Sequence, residues 1–235
     1  MGENENHPIV VRQTRETDFD GIQALARRVY PHETEPWEKE WLLSHHRVFP
    51  EGQSVAVDQA TGAIVGMTAS LIVTWDDYQL GDNYCDFTRQ YRFTNHDPTG
   101  QTLYAAEVMT DPERRGEGIG KKLYAWRRQL VRDLGLRRIR AGARLRGYGR
   151  YAEQMSAETY VLKVINGELS DPTLSFQLKE GFRVLAVIGD YFDYDPESEG
   201  YAAIIEWINH QVATRPDTYG RPRRFGKKRR KRSGP

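Results

Sequence analysis

The sequence predicts a mixed α/β fold, and three observations support that class. Apolar residues alternate along the chain between runs typical of strands and spacings typical of helices. A glycine-rich turn joins one of the strands directly to an amphipathic helix. The chain has 235 residues, which is enough to bury a substantial hydrophobic core in one domain.

The elements before the glycine-rich turn are predicted from apolar periodicity. Phe19, Ile22, Leu25 and Val29 share one face of a first helix, and alternation or apolar runs mark the strands. Pro112 ends the last of these strands because proline cannot donate to a sheet ladder. In order, the predicted segments are "IVVRQ" (strand), "TDFDGIQALARRVY" (helix), "PWEKEWLLSHHRVF" (helix), "SVAVD" and "AIVGMTASLIVTW" (a hairpin), and "TLYAAEVMT" (strand).

The elements after the turn begin with an amphipathic helix that Gly135 ends. Its predicted apolar face carries Ile119, Leu123, Trp126, Leu130, Val131 and Leu134, and its predicted charged face carries Lys121, Lys122, Arg127, Arg128 and Arg132. The remaining segments are a strand in "LRRIRAGAR", a helix beginning near Ser156, a helix opened by Asp171 and Pro172, a strand after Gly181 and Phe182, and a last strand in "GYAAIIEW".

Charge is distributed unevenly along the chain. Residues 214–235 carry ten of the 34 Lys and Arg but only one of the 33 acidic residues, Asp217. The rest of the chain is therefore acidic, although the formal net charge of the whole is +1. We expect a flexible N-terminus over residues 1–8, one folded domain over residues 9–210 with a helical insert near 148–170, and a disordered basic tail over residues 211–235.

Cysteine content and hydropathy indicate the compartment. The one cysteine, Cys85, cannot form an internal disulfide, and the N-terminal residues contain no apolar signal core. No apolar run approaches the length that spans a bilayer. We therefore expect a cytoplasmic protein without membrane association.

The segment "PERRGEGIGKKL", residues 112–123, is the most informative motif. It follows a strand and opens a helix, where unpaired backbone amides and the helix dipole favour an anion. The nucleoside-triphosphate pattern fails because Lys121 is followed by Lys122 and not by Ser or Thr, and the dinucleotide pattern fails because Lys121 stands where a glycine is required. The pattern that fits is Arg115, two residues, Gly118, one residue and Gly120.

That pattern, after a fourth strand and before a helix, resembles the pyrophosphate-binding loop of the GCN5-related N-acetyltransferase (GNAT) superfamily. The resemblance spans residues 9–207 and includes the helix, Gly181–Phe182 and strand of the C-terminal half. Two segments, over residues 147–182 and 191–207, are similar to the acetyltransferase half of bacterial proteins that fuse this domain to a carbon-nitrogen hydrolase. The resemblance implies a mostly antiparallel mixed sheet of about six or seven strands flanked by helices.

The resemblance also implies the chemistry and its cosubstrate. Members transfer an acetyl group from acetyl-CoA directly to an amine, without a covalent enzyme intermediate. The pantetheine arm of the cosubstrate lies along the splayed end of the fourth strand, and the pyrophosphate lies on the loop. Carried over residue by residue, the acetyl-CoA-binding set is Val108, Met109, Arg114, Arg115, Gly116, Glu117, Gly118, Ile119, Gly120 and Lys121.

The catalytic groups are expected around the same strand. Glu107, which immediately precedes Val108, is the candidate base; an ordinary ion pair with a nearby arginine is the alternative. Many members supply an acid to the leaving thiolate from a tyrosine four residues before the Gly-Phe exit, and Gln177 occupies that position here. Tyr148 and Tyr151 are candidate substitutes, with packing against the insert helix as the alternative.

The partners follow from these features. We expect acetyl-CoA and an amine acceptor, a small molecule or a protein, bound between the polar stretch 76–102 and the insert 148–170. The basic tail is expected to contact RNA or another polyanion, with a solubilising role as the alternative. A homodimer is a further expectation, and a metal site is not expected because His45 and His46 lack ligand partners at suitable spacing. A non-catalytic CoA-binding or RNA-binding adaptor on the same scaffold is the competing function.

Overall fold

A computed structural model describes residues 8–31, 37–79, 81–193 and 195–214. The predicted N-terminal segment 1–8 lies outside these ranges except for Pro8, and the predicted tail 211–235 lies outside them after Thr214. No helix within the described ranges is both long and apolar enough to cross a membrane.

Seven strands form one sheet in the order β1-β2-β3-β4-β5-β7-β6. The strands are β1 (Ile9–Gln13), β2 (Ser54–Asp58), β3 (Ile64–Val73), β4 (Thr102–Thr110), β5 (Arg138–Arg144), β6 (Arg183–Ile188) and β7 (Ala202–Ile208). The helices are α1 (Phe19–Val29), α2 (Lys39–Val48), α3 (Tyr84–Thr88), α4 (Ile119–Asp133), α5 (Ala157–Ile165) and α6 (Leu174–Lys179). The predicted fold class and the predicted mostly antiparallel sheet are confirmed.

The pairing of β4 with β5 is parallel, whereas every other pairing in the sheet is antiparallel. This parallel pairing is short: it joins Thr102–Tyr104 to Arg138–Arg140 and goes no further. Beyond it, residues 105–110 and residues 141–144 belong to neighbouring strands that are not paired with each other. We call the space between these two unpaired segments the β4–β5 gap.

The helices cover the two faces of the sheet separately. The side chains of α1, α2 and α3 pack with Met67, Leu71 and Tyr104 in one hydrophobic cluster. The side chains of α4, α5 and α6 pack with Leu103 and Ile139 in another cluster. Because neighbouring positions on a strand point to opposite faces, Leu103 and Tyr104 contribute to different clusters. We call these the α1 face and the α4 face.

A β-bulge in β4 changes the direction of the strand just before its C-terminal half. Ala69 of β3 pairs with Glu107 and Ser70 pairs with Ala105, so Ala106 is the extra residue. Strict alternation from Tyr104 would direct position 107 toward the α4 face. The bulge instead places Glu107 on the α1 face, with Ala69 as its cross-strand partner.

One residue of α4 departs from the sequence prediction. Arg127 was assigned to the charged outer face of the helix, but only 1% of it is exposed. Its guanidinium donates to the carbonyl oxygen of Glu107 (2.6 Å), the carbonyl oxygen of Ala69 (3.3 Å) and the hydroxyl of Ser70 (3.1 Å). The prediction was wrong because the bulge leaves carbonyl groups that need a donor, and the long arginine side chain reaches them.

Candidate active site

The loop between β4 and α4 has a backbone that requires glycine. Gly116 has φ of 89° and Gly118 has φ of 75°, in the left-handed region that side chains with a Cβ atom disfavour. A Cβ atom added at either position would meet no other atom within 4 Å, so conformation and not crowding explains these glycines. At Gly120 the constraint is contact, because an added Cβ would lie 3.2 Å from the ring of Phe176.

The loop ends at the N-terminus of α4, and this end can bind an anion. Gly118 is the N-cap residue and offers no side chain to the first amides of the helix. Those amides have no acceptor within the helix, and the helix dipole makes this end electropositive. Open space over Gly116 and Gly118 lets a phosphate group approach the backbone.

Ion pairs fix both ends of the loop. Asp111 accepts from Arg28 of α1 at 2.8 Å, and Arg114 donates to Asp58 at the end of β2 at 2.7 Å. Arg114 is also paired with Glu117, at 2.7 Å, so the carboxylate of Glu117 is neutralised within the loop. These contacts give Arg114 and Glu117 a structural role.

Two cations of the predicted set remain at the surface of the loop. Arg115 and Lys121 are exposed, and neither forms an ion pair with any other residue that the structure describes. The neighbouring Lys122 instead donates to the carbonyl oxygen of Ile9 at 2.8 Å. Arg115 and Lys121 are therefore the side chains of the loop that can meet a phosphate.

Glu107 lies on the α1 face beside the β4–β5 gap, and a tyrosine holds its carboxylate. The hydroxyl of Tyr30 donates to Oε2 at 2.9 Å, and the amide of Val108 donates to Oε1 at 2.8 Å. Removal from water and then the charge of Glu107 raise the pKa of Tyr30 well above its ordinary value. Tyr30 is consequently a protonated donor at neutral pH.

Val108 and Met109 lie on opposite faces of β4. Val108 packs with the clusters of the α4 face and Met109 is buried in the cluster of the α1 face. Both flank the β4–β5 gap. The amide of Val108 is already bonded to the side chain of Glu107.

A charged cluster lies across the gap on β5. Alternation from Ala141 and Ala143, which face the α4 side, directs Arg144 toward the α1 face. Arg144 is paired with Asp195, and with Glu197 at 3.1 Å. Arg146 also pairs with Glu197, at 2.9 Å, so this end of β5 presents two arginines and two carboxylates on the α1 face beside the gap.

The structure gives Tyr148 a structural role. Tyr148 is only 5% exposed, its hydroxyl donates to the carbonyl oxygen of Met155 at 3.1 Å, and its ring packs against Tyr160 and Tyr201. Tyr151 packs against Tyr160 in the same cluster. This geometry favours the packing alternative for Tyr148, whose hydroxyl already has an acceptor.

Two residues near the gap were missed by sequence reasoning. Tyr30 meets Glu107 from a position 77 residues earlier in the chain, so no local spacing could reveal the contact. Tyr124 of α4, which receives a hydrogen bond from Nε2 of Gln177 at 3.0 Å, is the other. The signal for Tyr124 was its place one turn after Gly120 in the helix that opens the loop. No cluster of His, Cys, Asp and Glu suited to a metal ion occurs among the described residues.

Sequence comparisons identify relatives over most of the chain. The chain is 39% identical over 201 residues to the probable hydrolase YhcX of Bacillus subtilis (strain 168), covering 86% of this chain but 39% of that protein. It is 33% identical over 204 residues to the uncharacterized N-acetyltransferase YkwB of the same organism, covering 86% of this chain and 89% of YkwB. This chain thus spans well under half the length of YhcX.

Solved structures share the fold. The GphF GNAT-like decarboxylase in complex with isobutyryl-CoA is 24% identical, with a TM-score of 0.72, over 85% of this chain and 98% of that chain. The loading GNATL domain of CurA from Lyngbya majuscula is 20% identical, with a TM-score of 0.73, over 86% and 98%. The model of the Acetyltransferase (GNAT) family matches residues 19–152, more than half of the chain. With the glycine loop, the split sheet and these matches in agreement, the chain belongs to the GNAT acetyltransferase family.

Proposed function

We propose that this protein transfers an acetyl group from acetyl-CoA to an amine by direct attack in a ternary complex, with Glu107 as the base. Family membership supports an N-acetyltransferase that uses acetyl-CoA as cosubstrate. The direct attack and the role of Glu107 are supported by geometry. The glycine loop, which can bind an anion, lies near the β4–β5 gap, and the carboxylate of Glu107, held by Tyr30, lies beside the gap on the α1 face.

The donor side fits the cosubstrate. The backbone amides over residues 115–120 would hold the pyrophosphate, with Arg115 and Lys121 supplying positive charge. Val108 and Met109 would flank the pantetheine arm and the thioester. Acetyl-CoA supplies the activated acyl group, and the protein contributes binding, orientation and exclusion of water.

The acceptor side fits an amine. An amine arrives mainly as an ammonium ion at neutral pH, and it must lose a proton before it can attack. Glu107 is positioned on the α1 face to accept that proton, and Tyr84 lies close enough for the charge of Glu107 to help raise the pKa of that tyrosine. An aromatic wall beside one carboxylate favours a cation over an anion.

The setting of the enzyme is also proposed. A cytoplasmic location is supported by the single Cys85 and by the apolar content of the sequence. The tail contains ten Lys and Arg residues, and contact with RNA or another polyanion is proposed for them. A homodimer is the proposed assembly. These proposals rest on sequence.

The test is transfer to amines by wild type and by Glu107→Gln. CoA release is measured as free thiol with a panel of small amines and N-terminal peptides. Loss of the base should lower kcat by about a hundredfold and leave acetyl-CoA affinity unchanged. Glu16→Gln, which removes an exposed carboxylate just before α1, is the matched control and should retain activity. Acetyl-CoA binding without turnover of any amine would contradict the proposal and favour the adaptor.

A further inference from the structure

Tyr124 and Gln177 form a buried polar pair on the α4 face. Tyr124 is 5% exposed and Gln177 is 7% exposed. Nε2 of Gln177 donates to the hydroxyl of Tyr124 at 3.0 Å, and the rings of Phe176 and Phe182 pack edge-on against Tyr124. The amide and the two phenyl rings therefore fix the direction of the hydroxyl.

This pair has hydrogen-bonding capacity that the described residues leave unused. Oε1 of Gln177 is buried and has no partner, and the hydroxyl proton of Tyr124 has no acceptor within the described ranges. Reversing the amide of Gln177 would exchange its oxygen and nitrogen, but one of the two atoms would still be unpaired. Buried polar atoms usually have partners, so this pair is suited to receive a polar group from a ligand.

The Tyr124–Gln177 pair lies near both the glycine loop and the β4–β5 gap. Tyr124 lies five residues into α4, about 7 Å along the helix from its first residue at the glycine loop. It packs in the same cluster as Ala105 of β4 and Ala141 of β5, which border the β4–β5 gap. Glu107 lies at that gap on the opposite face. An acceptor that approaches Glu107 would attack from one face, and the leaving group would depart on the face of Tyr124.

We propose that Tyr124, oriented by Gln177, donates a hydrogen bond and then its proton to the sulfur of CoA as the sulfur leaves. This inference rests on the proposed acetyl transfer. It assigns to a residue of α4 the role that Gln177 cannot fill, since an amide is not a proton donor of useful acidity. Tyr148 is a poorer candidate because its hydroxyl donates to the carbonyl oxygen of Met155.

The proton balance of the step is as follows. Glu107 takes one proton from the ammonium ion, and the amine nitrogen forms its bond to the acyl carbon. The carbon–sulfur bond then breaks, its electron pair goes to sulfur, and sulfur takes the proton of the Tyr124 hydroxyl. The nitrogen loses its second proton to water, Glu107 releases the first to water, and the tyrosinate regains one from water. Per turnover, one proton ends on the thiol of CoA and one enters the solvent.

The environment keeps Tyr124 protonated until the step. Burial raises the pKa of Tyr124 above its ordinary value, and the charge of Arg127 and the hydrogen bond from Gln177 oppose that rise in part. The guanidinium of Arg127 lies 5.8 Å from the ring centroid. This positive charge would also stabilise a transient tyrosinate.

The experiment measures binding and does not depend on turnover. CoA and desulfo-CoA, which lacks the sulfur atom, are titrated calorimetrically into the full chain at pH 7 and pH 9. Because a thiolate accepts a stronger hydrogen bond than a thiol, wild type should prefer CoA by about tenfold at pH 9 and by less at pH 7. Tyr124→Phe should bind both ligands alike at both pH values. Tyr201→Phe, whose ring packs against Tyr148, is the control and should keep the wild-type preference.

The outcomes separate the two proposals. If neither ligand binds to wild type, the proposed function fails. If both bind and Tyr124→Phe keeps the preference for CoA at pH 9, the function stands and the inference about Tyr124 is wrong. Gln177→Met keeps the side-chain volume but removes the orienting amide, so it should lose part of the preference. If Tyr124→Phe does not fold, the same titrations of Gln177→Met test the inference: an unchanged preference for CoA at pH 9 would overturn it.

Discussion

At the scale of single residues, the contact between Tyr30 and Glu107 determines how the candidate base is held. Glu107 receives a side-chain donor from α1 and a backbone donor from its own strand. A carboxylate with two fixed donors has one orientation, which is the condition for a base to act on a substrate at a defined point.

Tyr30→Phe should therefore impair the reaction without affecting donor binding. The carboxylate of Glu107 loses the donor from Tyr30, and a hydrogen bond to a charged group is worth about 2 kcal/mol. We expect kcat to fall roughly tenfold or more and the KM for acetyl-CoA to stay constant, measured by steady-state thiol release. Tyr160→Phe removes a hydroxyl bonded to Asp171 and should lower stability only. Equal effects of the two variants on kcat would contradict this role.

His45 is a second residue with a distinct environment. It is 2% exposed, its Nε2 bonds the carbonyl oxygen of Tyr91 at 2.6 Å, and its ring stacks on Phe93 with centroids 3.6 Å apart. Burial lowers the pKa of His45 to about 4 from an ordinary value of 6.5. The imidazole is thus neutral in the folded protein, with Nε2 as the donor.

This lowered pKa predicts a specific acid sensitivity. Below pH 6.5 the unfolded chain binds a proton at His45, whereas the folded chain does not bind one until about pH 4. The contribution of His45 to the free energy of unfolding is therefore complete above pH 6.5 and is lost as the pH decreases toward 4. From pH 7 to pH 5 the free energy of unfolding should fall by about 2 kcal/mol from this group. Urea unfolding of His45→Gln at both pH values should lack that loss. An unchanged pH dependence in the variant would refute the assignment.

At the scale of elements, the bulge in β4 and the helix α4 stabilise each other. The extra residue Ala106 leaves carbonyl groups of β3 and β4 without ladder partners, and Arg127 supplies the donors. Burial lowers the pKa of Arg127 to about 10, so the guanidinium stays charged at neutral pH. Its charge is stabilised by oxygen acceptors instead of a carboxylate.

Arg127→Lys should destabilise the protein although it keeps the positive charge. An ammonium group cannot reach the hydroxyl of Ser70 and both carbonyl oxygens with the fixed geometry of a guanidinium. We expect the free energy of unfolding to fall by about 2 kcal/mol, measured by urea denaturation, because buried acceptors lose their donor. Arg47→Lys, at an exposed position of α2, should change it by less than about 0.5 kcal/mol. Similar losses in both variants would show that the bulge does not depend on Arg127.

Apart from α3, which lies in the polar stretch 76–102, the main elements were predictable from the sequence, and the contacts between them were not. Apolar spacing predicted the strand before the loop and the helix after it, and the glycines predicted the turn that joins them. The burial of Arg127 and the contact of Tyr30 with Glu107 depend on a one-residue bulge and on which helix crosses which strand. Neither feature leaves a periodic signal, because each joins positions far apart in the chain.

At the scale of the whole molecule, the split sheet fits the proposed reaction of two substrates in one domain. The glycine loop, Tyr124 and Gln177 lie with the α4 face, and Glu107, Tyr30 and Arg144 lie with the α1 face. The β4–β5 gap lies between these two sets of residues, where the parallel pairing stops at Tyr104. The donor and the acceptor would therefore enter from opposite sides and meet at the gap.

The central claim is that the loop between β4 and α4 binds the pyrophosphate of CoA. Gly118→Glu adds a negative charge where that anion would lie, and it also places a side chain at a positive φ of 75°. Gly118→Ala has the same backbone constraint without the charge, so it separates strain from electrostatic repulsion. Thermal unfolding checks that both variants fold.

The most direct measurement is a calorimetric titration of acetyl-CoA into wild type and both variants, repeated with ATP to measure unspecific phosphate binding. We predict that wild type binds acetyl-CoA in preference to ATP, that Gly118→Ala binds it more weakly and that Gly118→Glu shows no binding while folded. Acetyl-CoA binding by Gly118→Glu at the affinity of wild type would contradict the claim and place the pyrophosphate elsewhere.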